Sequence, residues 1–348
     1  MPTQPAWTSR RQVRRGRRAP VLLVRPGDGR GRPIMTTMIC TGCCRIGPPP
    51  PPPALSCCPE RRPVDLALIP RSIAKAMTGI SWASFTANAW GGCTELAGTA
   101  GTKSGCAICY ARTFLERKHL VRWGAGEPRV RFASWKARVL RLDRMARETG
   151  LRFSVFAFSL ADWLDPEVPP AWREEFCAIV EACTHLDWLL LTHRPHLARK
   201  LALPAWVERL PDHVWPGVTV EHATHGFRLA QLADVWGDSG RLWVSAEPIG
   251  GSLAGVDLSI AACIILGGAS NTTDPEWAPA PEHIGEVLEA YPDQVHFKQW
   301  GVFGADGAFH GRKERAGRAW NGAQYDWTPW PRHRELLKAA AQAERMAA

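Results

Sequence analysis

The sequence predicts an α/β protein built as a partial or complete (β/α) barrel of the TIM type, preceded by an N-terminal tail without a core of its own. Three observations lead there. From about residue 130 onward, short apolar runs alternate with longer amphipathic ones, the order of repeating strand-helix units. Several short runs lack the polar alternation of a half-exposed strand, as expected of parallel strands buried on both faces. Each run also ends in residues able to do chemistry, the pattern of a barrel whose strand ends converge on one mouth.

In order, the strands are "RFSVFAFSL" (152–160), "DWLLLTHRP" (187–195), "VWPGVTVE" (214–221), "RLWVSAEP" (241–248), "ACIILGG" (262–268) and "QVHFKQWG" (294–301). All are rich in Val, Ile, Leu and aromatics. Helices are expected at "YARTFLERKHL" (110–120), "SWKARVLRLDRMARETG" (134–150), "PAWREEFCAIVEACTHL" (170–186), "RPHLARKLA" (194–202), "HATHGFRLAQLADVW" (222–236) and "PEHIGEVLEAYP" (281–292). Pro, Ser or Thr stands near several starts and Gly or Pro near several ends, as helix punctuation requires.

The polar strand ends are Asp162; Thr192, His193 and Arg194; Glu221; Glu247; Gly267 and Gly268; and Lys298 with Gln299. A barrel gathers them at one mouth, whereas an open doubly wound sheet spreads them along a crevice. Recurrence of acids, bases and glycines at six strand ends favours the barrel. Polar residues also begin ordinary loops.

The net charge of +10 is unevenly placed: residues 1–76 carry 14 Lys and Arg against 3 Asp and Glu, and residues 77–348 carry 29 against 30. A nearly neutral body argues against strong nonspecific binding of duplex DNA. Residues 1–76 contain "SRRQVRRGRR" and a proline run from Pro48 to Pro53, a composition that reads as a disordered basic tail. Such a tail is an organelle-targeting or nucleic-acid-binding arm, or else translation starts at Met77, where "MTGISW" opens the ordered pattern. The folded domain is therefore expected at 77–348. No apolar run is long enough to span a bilayer and no secretory signal is visible, so the expectation is a cytoplasmic protein.

Eleven cysteines in a reducing compartment point to metal or redox chemistry before disulfides. Five fall in the tail. Cys177, Cys183 and Cys263 sit in apolar runs and read as core. Cys93, Cys106 and Cys109 share a Gly- and Thr-rich loop with twelve residues between the first two and two between the last two. A structural zinc site closes with four ligands, usually two pairs, and only one pair is present; His119 lies ten residues beyond Cys109 in a predicted helix. Three thiolates suit a 4Fe-4S cluster whose fourth iron stays open, while zinc remains an alternative.

The segment "ISWASFTANAWGGC…GCAICYAR" resembles a phage-associated family of uncharacterised three-cysteine proteins that open "IEWTDATWNPVTGC…GCxxCYA". The resemblance continues through "WLLLTHRP", "VWPGVTVE", "RLWVSAEPIGGSL", "IILGGAS", "HFKQWG" and "RAGRAWNGAQYDWTP", covering nearly all of residues 78–330. It implies a barrel of radical-SAM type, distantly similar to spore photoproduct lyase-type proteins. The implied cofactors are a 4Fe-4S cluster on Cys93, Cys106 and Cys109, and S-adenosylmethionine cleaved reductively to a 5'-deoxyadenosyl radical that abstracts hydrogen from a substrate. Tyr110 would pack beside the cluster. Glu247 and Lys298 would bind S-adenosylmethionine or substrate, or pair with each other, and carry the catalytic role. Asp162, Arg194, Glu221, Gly267 and Gly268 are further candidates for cofactor binding, and "RAGRAWNGAQYDWTP" for a closing loop or a cover over the substrate.

Two departures from the family pattern stand out. The gap between the first two cysteines is longer here, and "GGAS" replaces "GGES", which removes an acid near Gly268. The implied partners are an electron donor such as flavodoxin or ferredoxin, a protein encoded in the same operon, and an unidentified substrate with nucleotides and nucleic acids among the candidate classes. The alternative is a phage-related nucleic-acid-binding or accessory protein with structural zinc at the three cysteines. A thiol-disulfide oxidoreductase is the weakest reading, because Cys-x-x-Cys of that kind opens a helix in a smaller thioredoxin-like unit.

Overall fold

The computed structural model divides the chain into two compact units, residues 1–66 and 67–348. It describes residues 69–338, except 70, 99–101, 103 and 335, and the backbone of two short strands in the first unit. Those two, β1 (Leu23–Arg25) and β2 (Ile34–Thr36), pair antiparallel; the other residues of 1–68, most of the expected disordered tail, lie outside the described residues.

The second unit begins earlier than composition suggested. Helix α1 (Arg71–Lys75) precedes Met77, and Ile69, Ile73 and Ala74 are buried. Three apolar residues in a basic, proline-rich stretch are too sparse to show a period, yet they suffice to anchor one turn.

Seven parallel strands form the central sheet in the order β11-β10-β9-β8-β7-β6-β3. They are β3 (Phe85–Ala87), β6 (Phe153–Ala157), β7 (Leu186–Thr192), β8 (Val214–Thr219), β9 (Trp243–Ala246), β10 (Cys263–Gly267) and β11 (Val295–Gln299). Each new strand joins the same edge, so the order never reverses and no switch point exists. The result is a curled half-barrel, not a doubly wound sheet. Strands β6, β9 and β10 are buried at every position, which is why their sequences read as continuous apolar runs.

Outside the sheet lie α3 (Trp135–Thr149), α4 (Pro170–Ala182), the short α5 (Ala198–Leu201) and α6 (Pro204–Glu208), α7 (Phe227–Trp236) and α8 (Pro281–Ala290). Proline occupies the first turn of α4, α6 and α8, where its missing N–H costs no hydrogen bond. Gly150, at φ 67°, ends α3, a left-handed position that suits glycine. A two-strand ribbon, β4 (Trp90–Gly91) with β5 (Val130–Arg131), brackets the cysteine loop and α2 (Tyr110–Arg117). Helix α2 stops short of His119, which takes a positive φ of 52°, so the helix expected to reach Leu120 is shorter.

Edge strands β3 and β11 are not paired with each other. The seam is crossed by side chains: the Ser81 hydroxyl meets His296 Nε2 at 2.8 Å, and Arg332 Nη1 donates to the Ser81 carbonyl at 3.1 Å. Trp330 Nε1 donates to the Trp82 carbonyl at 2.6 Å. Trp82, Trp243 and Trp330 then fill the interior beside Phe156, Leu189, Cys263 and Ile265. Gly217 in β8 makes this possible, since a Cβ there would lie 2.2 Å from the Trp243 ring.

The segment "RAGRAWNGAQYDWTP" therefore does not cover the mouth. Tyr325 accepts from the Phe297 N–H along β11, Trp320 packs against Trp300 at 5.9 Å, and the chain runs on to Trp330 in the interior. It closes the side of the barrel because its aromatics find partners on β11 and α8.

Candidate functional site

At the C-terminal ends of the strands the barrel opens into a cavity of about 660 Å³. Its walls bring together Cys93, Cys106, Cys109 and Tyr110 from the loop and α2 with Asp162, His193, Glu221, Glu247, Gly268 and Lys298 from the strand ends. Arg194 stands directly behind the wall, in contact with Cys93, and Gly267 lies under Glu247. Residues up to 205 positions apart in sequence thus share one space, because parallel strands added in order present their C-terminal ends on one side.

The two arms of the cysteine loop are fastened differently. On the first arm, Arg194 donates from Nη1 to the Cys93 sulfur at 3.5 Å and to Asp162 Oδ2 at 2.8 Å, and from Nη2 to the Thr94 carbonyl. Thr94 is gripped again through its N–H and hydroxyl by Asp165, at 3.1 and 3.2 Å. Asp165 pairs with fully buried Arg129 at 2.8 Å, which itself donates to the Thr94 hydroxyl at 2.6 Å. Burial, reinforced by the charge of Asp162, pushes the Cys93 thiol well above its usual range, with Arg194 opposing.

The second arm hangs on Glu221. Its Oε1 accepts from the Gly105 N–H at 3.0 Å, and its Oε2 meets Arg228 and His225, each at 2.9 Å. Burial alone would raise the Glu221 carboxyl, but the His225 hydrogen bond and the charges of His193 and Arg228 outweigh it and hold it at about 2. Gly105 must be glycine here: a Cβ would lie 2.8 Å from Glu221 Oε1 and 3.0 Å from Pro248. Buried Ser104 then accepts from the Cys106 N–H at 3.2 Å, shaping the turn that presents Cys106. Cys109 precedes α2 at the N-cap position. Burial raises its thiol, and the N–H groups of Arg112 and Ala111 draw it back down, as the exposed donors of a helix start do for a thiolate.

The other candidates sort by what they touch. Lys298 Nζ and Glu247 Oε1 pair at 2.7 Å in the cavity wall, the mutual partnership that sequence left open. Asp162 is saturated: besides Arg194 it accepts from the Thr192 hydroxyl at 2.7 Å, the His193 N–H at 2.9 Å and the Leu164 N–H at 2.9 Å. Both Asp162 and Glu221 thus hold the cysteine loop while lining the cavity. Tyr110 donates its hydroxyl to the Ser159 carbonyl, tying α2 to the loop after β6 while its ring lines the cavity.

The glycine pair serves the protein's own packing. A Cβ on Gly268 would fall 1.9 Å from the Trp300 carbonyl oxygen, and one on Gly267 would fall 3.1 Å from Glu247 Oε1. The missing side chains make room for Trp300 and Glu247, and Gly268 also lines the cavity. Cys177, Cys183 and Cys263 are fully buried, and burial raises the first two thiols to about 12; they are core residues, as their apolar neighbours implied.

Sequence reasoning missed Thr94, Arg129, Asp165, His225 and Arg228, the residues that hold the loop. It named His193 only as a strand end; the half-buried imidazole lines the cavity, and burial lowers its pKa. A trace of the first clamp is visible in "ADWLDPE" after β6, where two acids stand three apart with apolar residues between.

Among the described residues, no three His, Cys, Asp or Glu side chains are grouped so as to hold one metal ion, and no helix is long and apolar enough to cross a membrane. No curated protein matches the chain. Among solved structures it is similar to a double mutant of spore photoproduct lyase with bound AdoMet and dinucleoside spore photoproduct, at 13% identity and a TM-score of 0.32, over 61% of this chain and 62% of that one. So low a score supports nothing by itself. The sequence match is more extensive, and residues 77–329, which contain the cysteine loop and every strand of the large sheet, place the chain in the family described as proteins of unknown function, DUF5131.

Proposed function

We propose that the protein is a radical S-adenosylmethionine iron-sulfur enzyme, with Cys93, Cys106 and Cys109 holding a 4Fe-4S cluster at the barrel mouth. The observation that carries this reading is the placement of three thiols from one loop around the same cavity as the strand-end residues. The donor set fits the group in kind: three thiols from one loop line a single cavity, and thiolates are the ligands that iron-sulfur clusters take. Backbone N–H groups at Cys109 and the guanidinium at Cys93 offer the hydrogen bonds that cluster sulfurs accept.

When bound, cluster and S-adenosylmethionine supply one-electron reduction and a carbon radical, chemistry that belongs to the cofactors. The chain's own residues do the rest. Asp162, Arg194, Thr94, Asp165 and Arg129 fix the first arm of the loop, and Glu221 fixes the second through Gly105. Glu247 and Lys298 form a paired acid and base at the wall, suited to exchange partners with the carboxylate and ammonium of an amino acid group. Phe156, Phe158, Tyr110 and Trp82 give the cavity apolar surface that excludes water from a reactive intermediate. The substrate acted on is an unidentified small molecule or nucleotide-derived group of a size that fits this space.

The test is anaerobic reconstitution of the full chain with iron and sulfide, followed by iron and sulfide analysis. The expected result is close to four irons per chain, lost in each of Cys93→Ala, Cys106→Ala and Cys109→Ala, and retained in Cys177→Ala. One tightly bound zinc and no cluster would overturn the reading in favour of a structural zinc protein.

A further inference from the structure

We infer that Arg194, oriented by Asp162, sets the reduction potential of the cluster through Cys93. The inference rests on the cluster reading above. Of the three thiols, Cys93 receives a hydrogen bond from a charged side chain, Arg194 Nη1 at 3.5 Å. The guanidinium and the Asp162 carboxylate behind it, 2.8 Å apart, are each only 4% exposed. Asp162 cannot turn away from this arrangement, because Thr192, His193 and Leu164 occupy its oxygens. Arg194 cannot swing out either, because its other nitrogen holds the Thr94 carbonyl.

The result is a fixed pair of opposite charges beside the sulfur, with the guanidinium in contact with it. Little water reaches it, so its field at the sulfur is weakly screened. One-electron reduction adds a negative charge to the cluster, the electron coming from an external low-potential donor of the flavodoxin or ferredoxin class. No bond changes at Arg194 and no proton moves. A positive charge and a hydrogen bond at a ligating sulfur favour the more negative state. Arg194 therefore raises the potential, and Asp162, opposite in sign, lowers it.

A purely structural clamp would make no such signed prediction. The experiment is a potentiometric titration followed by EPR on the reconstituted full chain, with the wild type beside Arg194→Gln, Arg194→Lys and Asp162→Asn. The expected potentials fall for Arg194→Gln, rise for Asp162→Asn, and move less for Arg194→Lys than for Arg194→Gln. Removing one partner of a buried pair endangers folding, so the double variant Arg194→Gln/Asp162→Asn, which carries neither charge, accompanies the singles. Its potential is expected between those of the two single variants, because the two removed charges act on the sulfur with opposite signs. Circular dichroism and iron content confirm that each sample is folded and loaded. Shifts of the same sign in the two single variants, or a double variant lying outside the range of the two singles, overturn the inference alone. A wild-type chain that takes up no cluster overturns the cluster reading and the inference with it.

Discussion

Below the mouth the barrel interior is packed with Trp82, Trp243, Trp330 and Phe156, their ring centroids 4.6 to 5.8 Å apart along the chain of contacts, and Trp82 and Phe156 also form part of the cavity wall. At the C-terminal ends the same strands open onto a cavity walled by thiols, carboxylates and a lysine. The first region removes large apolar rings from water, each contributing stability at about 25 cal/mol per Å² buried. The second buries charged pairs, whose attraction is largely offset by the cost of desolvating them. Stability is concentrated at the plug. The mouth is held together by charged pairs that position the cysteine loop, with Glu221 adding to stability as well.

Substitutions can break this division. The largest effect is expected for Trp243→Ala, which empties the plug beside Gly217 and should lower the unfolding free energy by about 3–5 kcal/mol, measured by urea unfolding. The folded fraction should still load a cluster. Unchanged stability would mean that the interior is not the core that its packing indicates.

Next comes Glu221. Its carboxyl is held at about 2 in the folded chain against an ordinary 4.5. Its contribution is therefore complete above about pH 4.5 and is lost as the pH falls through about 2. That difference corresponds to roughly 3 kcal/mol, and Glu221→Gln should remove it from the acid unfolding profile while loosening the second arm of the loop. An identical acid profile in the variant would show that Glu221 is not the anchor.

A smaller effect, about 1–3 kcal/mol from overpacking, is expected for Gly105→Ala, read as lower iron occupancy and faster alkylation of Cys106. At the small end, Asp234→Asn breaks the exposed Arg199–Asp234 pair, whose side chains are 57% and 72% exposed, and the melting temperature should not change. A measurable drop there would mean that surface pairs, not the plug, carry the stability.

How much of this was legible beforehand follows from the range of each interaction. The strands from Phe153 to Gln299 show in the sequence because burial on both faces leaves a local apolar run. The cysteines show because their spacing is local. Strand β3 is three residues long and β4 and β5 are two each, too short for any period to appear. The clamp on Thr94 draws Arg129 from 35 positions away, Asp165 from 71 and Arg194 from 100, and no local pattern marks such a meeting. Glu221 was found as a strand end, but its partner is a backbone N–H of Gly105, 116 residues distant, invisible without the fold. The same holds for Gly267 and Gly268, whose reason lies in Glu247 and Trp300.

The central claim is that three thiols hold a cluster with one iron left open to S-adenosylmethionine. It is tested most directly by low-temperature EPR of the reduced, reconstituted chain, recorded with and without S-adenosylmethionine. The account predicts a signal whose g-values change when S-adenosylmethionine is added and that is absent from the Cys106→Ala variant. A cluster signal indifferent to S-adenosylmethionine would contradict it.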